Sequence, residues 1–268
     1  MIKVAIHSAP RSGSTWLGQL FNSSKNVKYC YQPLFSYALK DFLDDQSSSQ
    51  QINDFYYELL KTKDDFINQT EAIEKGIIPK FEKREITHIC YKEVRYHHIL
   101  ENLMRNSEDL KLVLLIRHPL EVLSSWYKAP REFRKDLGWN FEEEWLHAEK
   151  KNENKPESFY GYQKWKDTSN LFLNLQEQNN DRVRLITYKE LLEDTTTVTN
   201  NIFSFLELEF SDQTERFISE SKSTNQSDAY SVYKVKRNNK DWKALPEEVI
   251  SYVANDLKGT NLERFLDE

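Results

Sequence analysis

The sequence predicts an α/β fold in which helices cover both faces of a central parallel sheet. Strand-like and helix-like segments alternate along the chain. Several strand segments are uninterrupted apolar runs, which is typical of parallel strands buried on both faces. Polar motifs directly follow two of these runs, and ligands of such sheets bind at the carboxyl ends of the strands. We therefore expect a binding site at that edge of the sheet.

The first and fourth strands are the clearest. Residues 2–7 form a short apolar run that ends at the turn signal Ser8-Ala9-Pro10. Residues 110–116, LKLVLLI, form the strongest buried strand, and Pro119 follows at a favourable first helical position. The predicted strands are 2–7, 27–31, 86–91, 110–116 and 183–187.

Helices are predicted from apolar spacing between these strands. In residues 13–24, for example, Trp16, Leu17, Leu20 and Phe21 fall on one helical face. The predicted helices are 13–24, 35–43, 55–73, 99–104, 119–127, 141–151, 159–178, 195–206, 210–219 and 246–257. Residues 46–51 and 129–140 are predicted loops, and the polar stretch 221–240 is predicted to be a mobile segment.

Length and composition limit the classes of protein. The 268 residues fit one large domain, 1–268, which can bury a full core without disulfides or metals. The net charge of −6 argues against a nucleic-acid binder, so an anionic ligand would need a local basic pocket. Cys30 and Cys90 form neither a disulfide framework nor a zinc pattern, which favours a cytoplasmic protein. No signal peptide or membrane span is predicted.

The loop after the first strand has the composition of a phosphate-binding loop. Its sequence, residues 9–17, is APRSGSTWL. Backbone amides and a helix N-terminus would surround a small anion, Gly13 would permit close approach, and Arg11 would add charge-assisted hydrogen bonds. The hydroxyl donors and the adjoining aromatic residue are Ser12, Ser14, Thr15 and Trp16. The alternative interpretation is an ordinary strand-to-helix turn capped by a serine.

This loop does not match the Walker A motif of kinases and ATPases. Gly13 and Gly18 have the correct spacing, but Gln19 and Leu20 stand where that motif requires Lys and Ser or Thr. A P-loop kinase is therefore the weaker interpretation, and Mg-ATP binding would support it.

The stretch RSGSTWL resembles the 5'-phosphosulfate loop of sulfotransferases that use 3'-phosphoadenosine 5'-phosphosulfate (PAPS). The longer stretch 11–34 resembles the carbohydrate sulfotransferase branch. The resemblance implies a P-loop-like three-layer α/β sandwich, PAPS as co-substrate, adenosine 3',5'-bisphosphate as product, and no metal.

A second motif follows the fourth strand. Arg117 ends the strand, and Ser125 lies eight residues later in the predicted helix. The pair resembles the family's clamp on the ribose 3'-phosphate, in which a guanidinium and a hydroxyl donate to the anion. The alternative is a structural Arg and an unrelated helical Ser. In the order found, the two motifs together favour the clamp.

Three further stretches resemble the family more weakly. Lys92 lies on the strand that would deliver a lysine beside the transferred group. Tyr188 matches the tyrosine of the element near the adenine. Lys236 and Arg237 resemble the late basic segment that folds over the 3'-phosphate.

The predicted chemistry is in-line displacement at sulfur. Arg11 and Lys92 would stabilise charge on the bridging oxygen. The general base is open, because Gln32 and Val94 stand where family members carry Glu or His. Glu93 is the first candidate, although neighbours on a strand point to opposite faces. The other candidates are His97, His98 and His7.

The acceptor is predicted to be a hydroxyl of a glycan or glycolipid. In the loop 129–140, a tryptophan with nearby cations suits a sugar ring with an anionic substituent; these residues are Arg131, Arg134, Lys135 and Trp139. A solvated basic loop is the alternative. A phenolic or other small-molecule hydroxyl remains open as acceptor, as does a non-catalytic nucleotide-binding relative of the family. The oligomeric state is not predicted.

Overall fold

The computed structural model describes residues 1–224, 232–233 and 241–267. Five parallel strands form one sheet in the order β2-β3-β1-β4-β5. The strands are β1 Ile2–Ser8, β2 Val27–Tyr31, β3 His88–Glu93, β4 Leu110–Ile116 and β5 Val183–Thr187. The predicted parallel α/β sheet is confirmed.

Helices connect the strands and complete the chain over the described ranges. They are α1 Ser14–Asn22, α2 Ser49–Lys61, α3 Asp65–Asn68, α4 Thr70–Glu74, α5 Leu100–Asn106, α6 Pro119–Tyr127, α7 Phe141–Glu144, α8 Glu149–Asn152, α9 Tyr162–Gln178, α10 Tyr188–Glu193, α11 Thr195–Phe205, α12 Asp212–Ser223 and α13 Glu247–Leu257.

The alternation of side chains along the strands divides the core into two layers. Val4 and Ile6 pack with α1, α11 and α12 on one face of the sheet. Ala5 and Leu114 pack with α2, α6, α9 and α13 on the other face. Because successive strand residues point to opposite faces, one apolar run supplies both layers. The predicted three-layer sandwich is confirmed.

The predicted helix 35–43 is wrong. A 3-10 turn spans Pro33–Phe35, and turns follow it. The Ser36 hydroxyl donates to the Pro33 carbonyl and accepts from the Leu39 amide at 3.2 Å. Such local side-chain bonds compete with helix formation. Asp41, with φ 56°, further departs from helical geometry.

The predicted loop 46–51 and helix 55–73 are also partly wrong. Ser48 caps α2 in a capping box with Gln51, so the helix begins inside the predicted loop. The helix then ends at Lys61, because Asp64 caps the short α3 and Gln69, with φ 55°, separates α3 from α4. Apolar spacing continues across these breaks, which is why the pattern predicted one helix.

Other boundaries differ less. The third strand lies two residues later than predicted, so Lys92 and Glu93 are inside it. The predicted helix 141–151 is interrupted at Ala148, with φ 51°, between α7 and α8. The predicted mobile segment 221–240 begins with the last turn of α12, and residues 225–231 and 234–240 lie outside the described residues.

Candidate functional site

A cavity of about 1080 Å³ opens at the carboxyl ends of β1, β3 and β4. The parallel register places Ile6 of β1 beside both Lys92 of β3 and Val113 of β4. The segments that leave these strands therefore meet at one edge of the sheet. Most of the predicted site residues line the cavity; these are Arg11, Gly13, Ser14, Thr15, Trp16, Lys92, Arg117, Ser125 and Tyr188.

The loop between β1 and α1 has the backbone form of an anion cradle. Arg11 and Gly13 adopt positive φ values of 69° and 91°, and α1 begins directly afterwards. The side chain of Ser12 is fully buried, and its Oγ has no hydrogen-bond partner. A helix N-terminus with free amides favours an anion at this position.

Tyr188 closes one side of this cradle. A Cβ at position 13 would lie 2.3 Å from Tyr188 Cε2, so only glycine fits beneath the ring. Trp16 Nε1 donates to Ser221 Oγ at 3.1 Å. Both rings line the cavity and offer flat surfaces next to the anion site.

Arg117 and Ser125 lie beside the same loop. Arg117 Nη1 donates to the Arg11 carbonyl at 3.0 Å, and its Nε donates to Glu121 at 2.8 Å. Ser125 Oγ accepts from Arg11 Nε at 3.3 Å. The Arg117 guanidinium lies 4.5 Å from the centre of the Tyr188 ring. The two motifs that the sequence placed 106 residues apart therefore form one structural unit.

Lys92 reaches the cavity from β3. Its side chain is buried, and its Nζ lies 4.4 Å from the centre of the Tyr31 ring. Burial lowers the pKa of Lys92 to about 8, while the carboxylates of Glu93 and Glu132 oppose the shift. A lysine in this state can donate a proton or a hydrogen bond at neutral pH.

Glu93 does not line the cavity, because it follows Lys92 on the strand and faces the other way. Its Oε1 accepts from the Leu34 amide at 3.0 Å, and burial raises the pKa of its carboxyl to about 8. The candidates His7 and His97 lie in the core, where their Nδ1 atoms are 3.0 Å apart. His98 does not line the cavity either. The geometry brings none of the four sequence candidates for the base to the cavity wall.

The sequence reasoning missed a carboxylate at the cavity wall. Glu132 Oε2 accepts a hydrogen bond from Tyr160 Oη, and Glu132 Oε1 lies 4.0 Å from Arg11 Nη1. Lys151 Nζ lies 3.6 Å from the other oxygen. No motif marks Glu132, which lies in the predicted loop 129–140, and no sequence signal would have found it.

Aromatic rings and cations also line the cavity, and one of these rings, Tyr31, lies beside Lys92. The rings of Tyr31 and Phe66 are 5.4 Å apart, and the Arg95 guanidinium lies 4.3 Å from the Phe35 ring. Of the loop residues expected to bind the acceptor, only Arg131 lines the cavity. The others have local partners: Arg134 binds Asp136, Lys135 lies over Tyr127, and Trp139 packs on Phe133. For these three the expectation is wrong, because short loop contacts hold them outside the cavity.

The late basic segment is described only in part. Lys236 and Arg237 lie outside the described residues, so their predicted contact is not located. Trp242, just beyond them, lines the cavity and stacks on His118 at 5.3 Å. In the described part of the chain, no group of acidic, His or Cys side chains could hold a metal ion. No helix there is long and apolar enough to span a membrane.

The fold is an α/β sandwich whose cavity, at the carboxyl edge of the sheet, is lined by the α1 N-terminus and by Arg11 and Arg117. The profile of the sulfotransferase domain family matches residues 2–265. The chain therefore belongs to the sulfotransferase family, which confirms the predicted family and enzyme class.

Solved structures with the same fold include two sulfotransferases and a retinol dehydratase. Mouse sulfotransferase SULT7A1 complexed with PAP is 14% identical over 99% of this chain and 87% of that one, with a TM-score of 0.58. A sulfotransferase from Alicyclobacillus acidocaldarius is 15% identical over 100% and 96%, with a TM-score of 0.55. Retinol dehydratase in complex with androsterone and PAP is 17% identical over 97% and 82%, with a TM-score of 0.55. A search of curated proteins found no match.

Proposed function

We propose that this sulfotransferase transfers the sulfuryl group of PAPS to a hydroxyl of a glycan or glycolipid that carries an anionic group. The enzyme class, and PAPS as co-substrate, follow from membership of the sulfotransferase family. One observation supports the proposal above all: the Arg117–Arg11 hydrogen bond joins the two segments proposed to bind the donor, and the same cavity is also lined by rings and cations.

The donor would bind beside the loop that joins β1 to α1. The α1 N-terminus and the hydroxyls beside it would hold the 5'-phosphosulfate; the residues involved are Ser12, Gly13, Ser14 and Thr15. Arg117 and Ser125 would hold the 3'-phosphate, and the rings of Trp16 and Tyr188 would contact the nucleoside. Lys236 and Arg237 are proposed as further donor ligands from the sequence resemblance alone.

Transfer would proceed by in-line displacement. The acceptor oxygen bonds to sulfur while the bond from sulfur to the 5'-phosphate oxygen breaks, and that oxygen leaves with the electron pair on adenosine 3',5'-bisphosphate. Lys92 and Arg11 would stabilise the negative charge that grows on the leaving oxygen. Because Lys92 is buried, its interaction with that charge is stronger than it would be in water.

The acceptor class is proposed from the rings and cations that line the cavity near Lys92. Tyr31, Phe35 and Phe66 offer ring faces for a sugar or another flat apolar group, and Arg95 and Arg131 offer positive charge. An anionic glycan uses both features. A phenolic or steroid hydroxyl uses the rings alone, and it is the second candidate because the ring cluster would suffice for it.

Thermal unfolding tests the donor site. A bisphosphate concentration of 100 times Kd adds about 2.7 kcal/mol, a rise in Tm of roughly 5 °C for a chain of this size. We expect this rise with adenosine 3',5'-bisphosphate and a smaller one with AMP. A rise with Mg-ATP alone would favour a kinase. No rise with any ligand would contradict a functional donor site and favour a degenerate, non-catalytic relative that no longer binds the nucleotide.

Transfer assays test the acceptor. Labelled PAPS is supplied with chondroitin as an anionic glycan, with dextran as a neutral glycan, and with 2-naphthol as a phenol. We expect transfer to chondroitin above dextran, and Arg131→Ala should reduce that preference. Transfer to 2-naphthol alone would overturn the glycan proposal and leave the donor site intact.

A further inference from the structure

The carboxylate of Glu132 lies at the cavity wall near Arg11. Attack by a hydroxyl on sulfur releases a proton, and a side chain near the acceptor oxygen must receive it. Arg11 and Lys92 are the two groups proposed to stabilise the leaving oxygen, so the reacting atoms are expected to lie next to them. Glu132 Oε1 lies 4.0 Å from Arg11 Nη1, and its charge raises the pKa of Lys92 against the larger effect of burial.

The other carboxylates on the cavity wall have different positions and partners. Glu121 binds the Arg117 guanidinium at 2.8 Å, on the side proposed for the 3'-phosphate. Glu71 of α4 pairs with Lys75, the residue that follows this short helix, and Asp241 binds Lys128 at 3.2 Å. The remaining wall carboxylate, Asp65, is in α3 next to Phe66. None of these four contacts Arg11 in the way that Glu132 does.

The surroundings of Glu132 hold its carboxylate in one orientation. Its amide donates to the Ala129 carbonyl at 3.0 Å, and the next side chain, Phe133, packs against Trp126 in the core. Tyr160 Oη donates to Oε2, and Lys151 lies near the same atom. A carboxylate has about four lone-pair positions, so these contacts on Oε2 leave Oε1 able to accept a proton.

Tyr160 is itself fixed by a set of buried hydrogen bonds. Its amide donates to Asn152 Oδ1 at 3.0 Å, and Asn152 Nδ2 donates back to its carbonyl at 2.9 Å. Its ring lies 5.5 Å from that of Trp126. Burial and the Glu132 charge raise the pKa of Tyr160, so its hydroxyl stays protonated and donates to the carboxylate. Tyr160 is therefore a positioning residue for Glu132.

We propose that Glu132 is the general base of this sulfotransferase. The acceptor O–H proton passes to Glu132 Oε1 as the acceptor oxygen bonds to sulfur, and the sulfur–oxygen bond to the 5'-phosphate breaks with its electrons on the bisphosphate. This assignment replaces Glu93 and rests on the proposed transfer reaction. It also accounts for Gln32 and Val94, since a base supplied by the loop after α6 makes an acidic or imidazole side chain at those positions unnecessary.

The test compares Glu132→Gln with wild type in two measurements. The first is the rise in Tm with adenosine 3',5'-bisphosphate, which reports the donor site. The second is the rate of transfer from PAPS to chondroitin and 2-naphthol, together with PAPS hydrolysis, in which water is the acceptor. We expect the bisphosphate effect to persist and the rate to fall by roughly 10²- to 10⁴-fold. Glu143→Gln, at an exposed carboxylate paired with Lys150, is the matched control and should leave both measurements unchanged.

Partial rescue by a shorter carboxylate separates a base from a structural anchor. Glu132→Asp should restore part of the transfer rate that Glu132→Gln loses, because it returns a proton acceptor to the same loop. Tyr160→Phe should lower kcat with little change in KM, because the carboxylate is then less well oriented.

Two results would overturn the assignment in distinguishable ways. An E132Q enzyme that turns over at the wild-type rate, or one that loses bisphosphate binding, would show that Glu132 is not the base and at most supports Arg11. A wild-type enzyme that binds the bisphosphate but transfers to no acceptor and does not hydrolyse PAPS would overturn the proposed function together with the base.

Discussion

The ring of Tyr188 lies so close to Gly13 that a Cβ at position 13 would be 2.3 Å from Tyr188 Cε2. Gly13 also has a φ of 91°, which L side chains rarely adopt. Gly13→Ala should therefore destabilise the fold by about 1–3 kcal/mol from backbone strain alone and more from the displaced ring. Urea unfolding measures the loss in free energy of unfolding. The affinity for adenosine 3',5'-bisphosphate should also fall.

Gly76→Ala is the matched control for this prediction. Gly76 has a φ of 67°, and nothing lies within 4 Å of a Cβ built there. Its substitution therefore reports the backbone strain without the ring contact. Equal losses of stability in the two variants would contradict a role for the Tyr188 contact.

Replacing Lys92 should separate catalysis from donor binding. Lys92→Met removes the buried charge near the leaving oxygen, so kcat should fall on the order of 10²- to 10³-fold while the bisphosphate effect on Tm persists. Lys111→Met is the control. Lys111 lies near the amino end of β4, and its Nζ donates a hydrogen bond to the Phe205 carbonyl. A K92M enzyme with wild-type kcat would exclude Lys92 from the reaction.

The pH dependence of the rate should also report Lys92. Since burial lowers the pKa of Lys92 to about 8, the side chain loses its proton above that pH and can no longer stabilise the leaving oxygen. The rate should therefore decline above about pH 8. Lys92→Arg should move the decline to higher pH, because arginine stays charged. An unchanged alkaline limb in K92R would assign it to another group.

Arg117 and Ser125 should decide the preference for a 3'-phosphate. Arg117→Ala removes a charged donor, which corresponds to about 1.5–3 kcal/mol, or roughly 10- to 100-fold in bisphosphate affinity. Ser125→Ala should cost less. AMP, which lacks the 3'-phosphate, should be affected little, and calorimetric titration of both ligands measures the difference. Arg184→Ala, at an exposed position on β5, is the control. Equal loss for AMP and the bisphosphate would contradict the clamp.

Buried histidines should make the fold sensitive to acid. Burial lowers the pKa of His7 to about 3 and that of His118 to about 4. The unfolded chain takes up these protons near pH 6.5 and the folded chain does not, so stability is lost as pH falls from about 6.5 towards 4. Each histidine contributes up to about 1.4 kcal/mol per pH unit in that window.

His118→Asn isolates one of these protons. His118 caps α6 by accepting from the Leu120 amide, and Asn is a favoured N-cap that does not titrate. Between pH 6 and pH 4.5, the free energy of unfolding measured with urea should fall less steeply in the variant than in the wild type. The difference in slope should correspond to the uptake of at most about one proton. Parallel stability curves for the variant and the wild type would contradict the buried neutral state of His118.

The sequence predicted the sheet well because its strands are continuous apolar runs. Leu110–Ile116 is buried along nearly its whole length, and the predicted and observed bounds agree. The helical connections were harder to predict, since their ends depend on local hydrogen bonds. The Ser48–Gln51 capping box begins α2 six residues before the predicted helix, and a similar box, Thr187–Glu190, begins α10, which was not predicted.

The site residues also differ in how well the sequence predicted them. Arg11, Arg117 and Ser125 belong to contiguous motifs at strand ends, so parallel-strand geometry was enough to place them together. Glu132 has no such motif, and its position depends on Tyr160, 28 residues further along the chain. The choice of Glu93 rested on its adjacency to Lys92, and strand alternation turned that side chain away from the cavity.

The bond from Arg117 to the Arg11 carbonyl fixes the separation of the two proposed anion sites. A nucleotide with two phosphates must then match that separation as well as carry the charge. Adenosine 2',5'-bisphosphate has the same base and the same number of phosphates, but it presents them at a different spacing. The protein would thus select its donor by the distance between two negative groups rather than by the identity of the base.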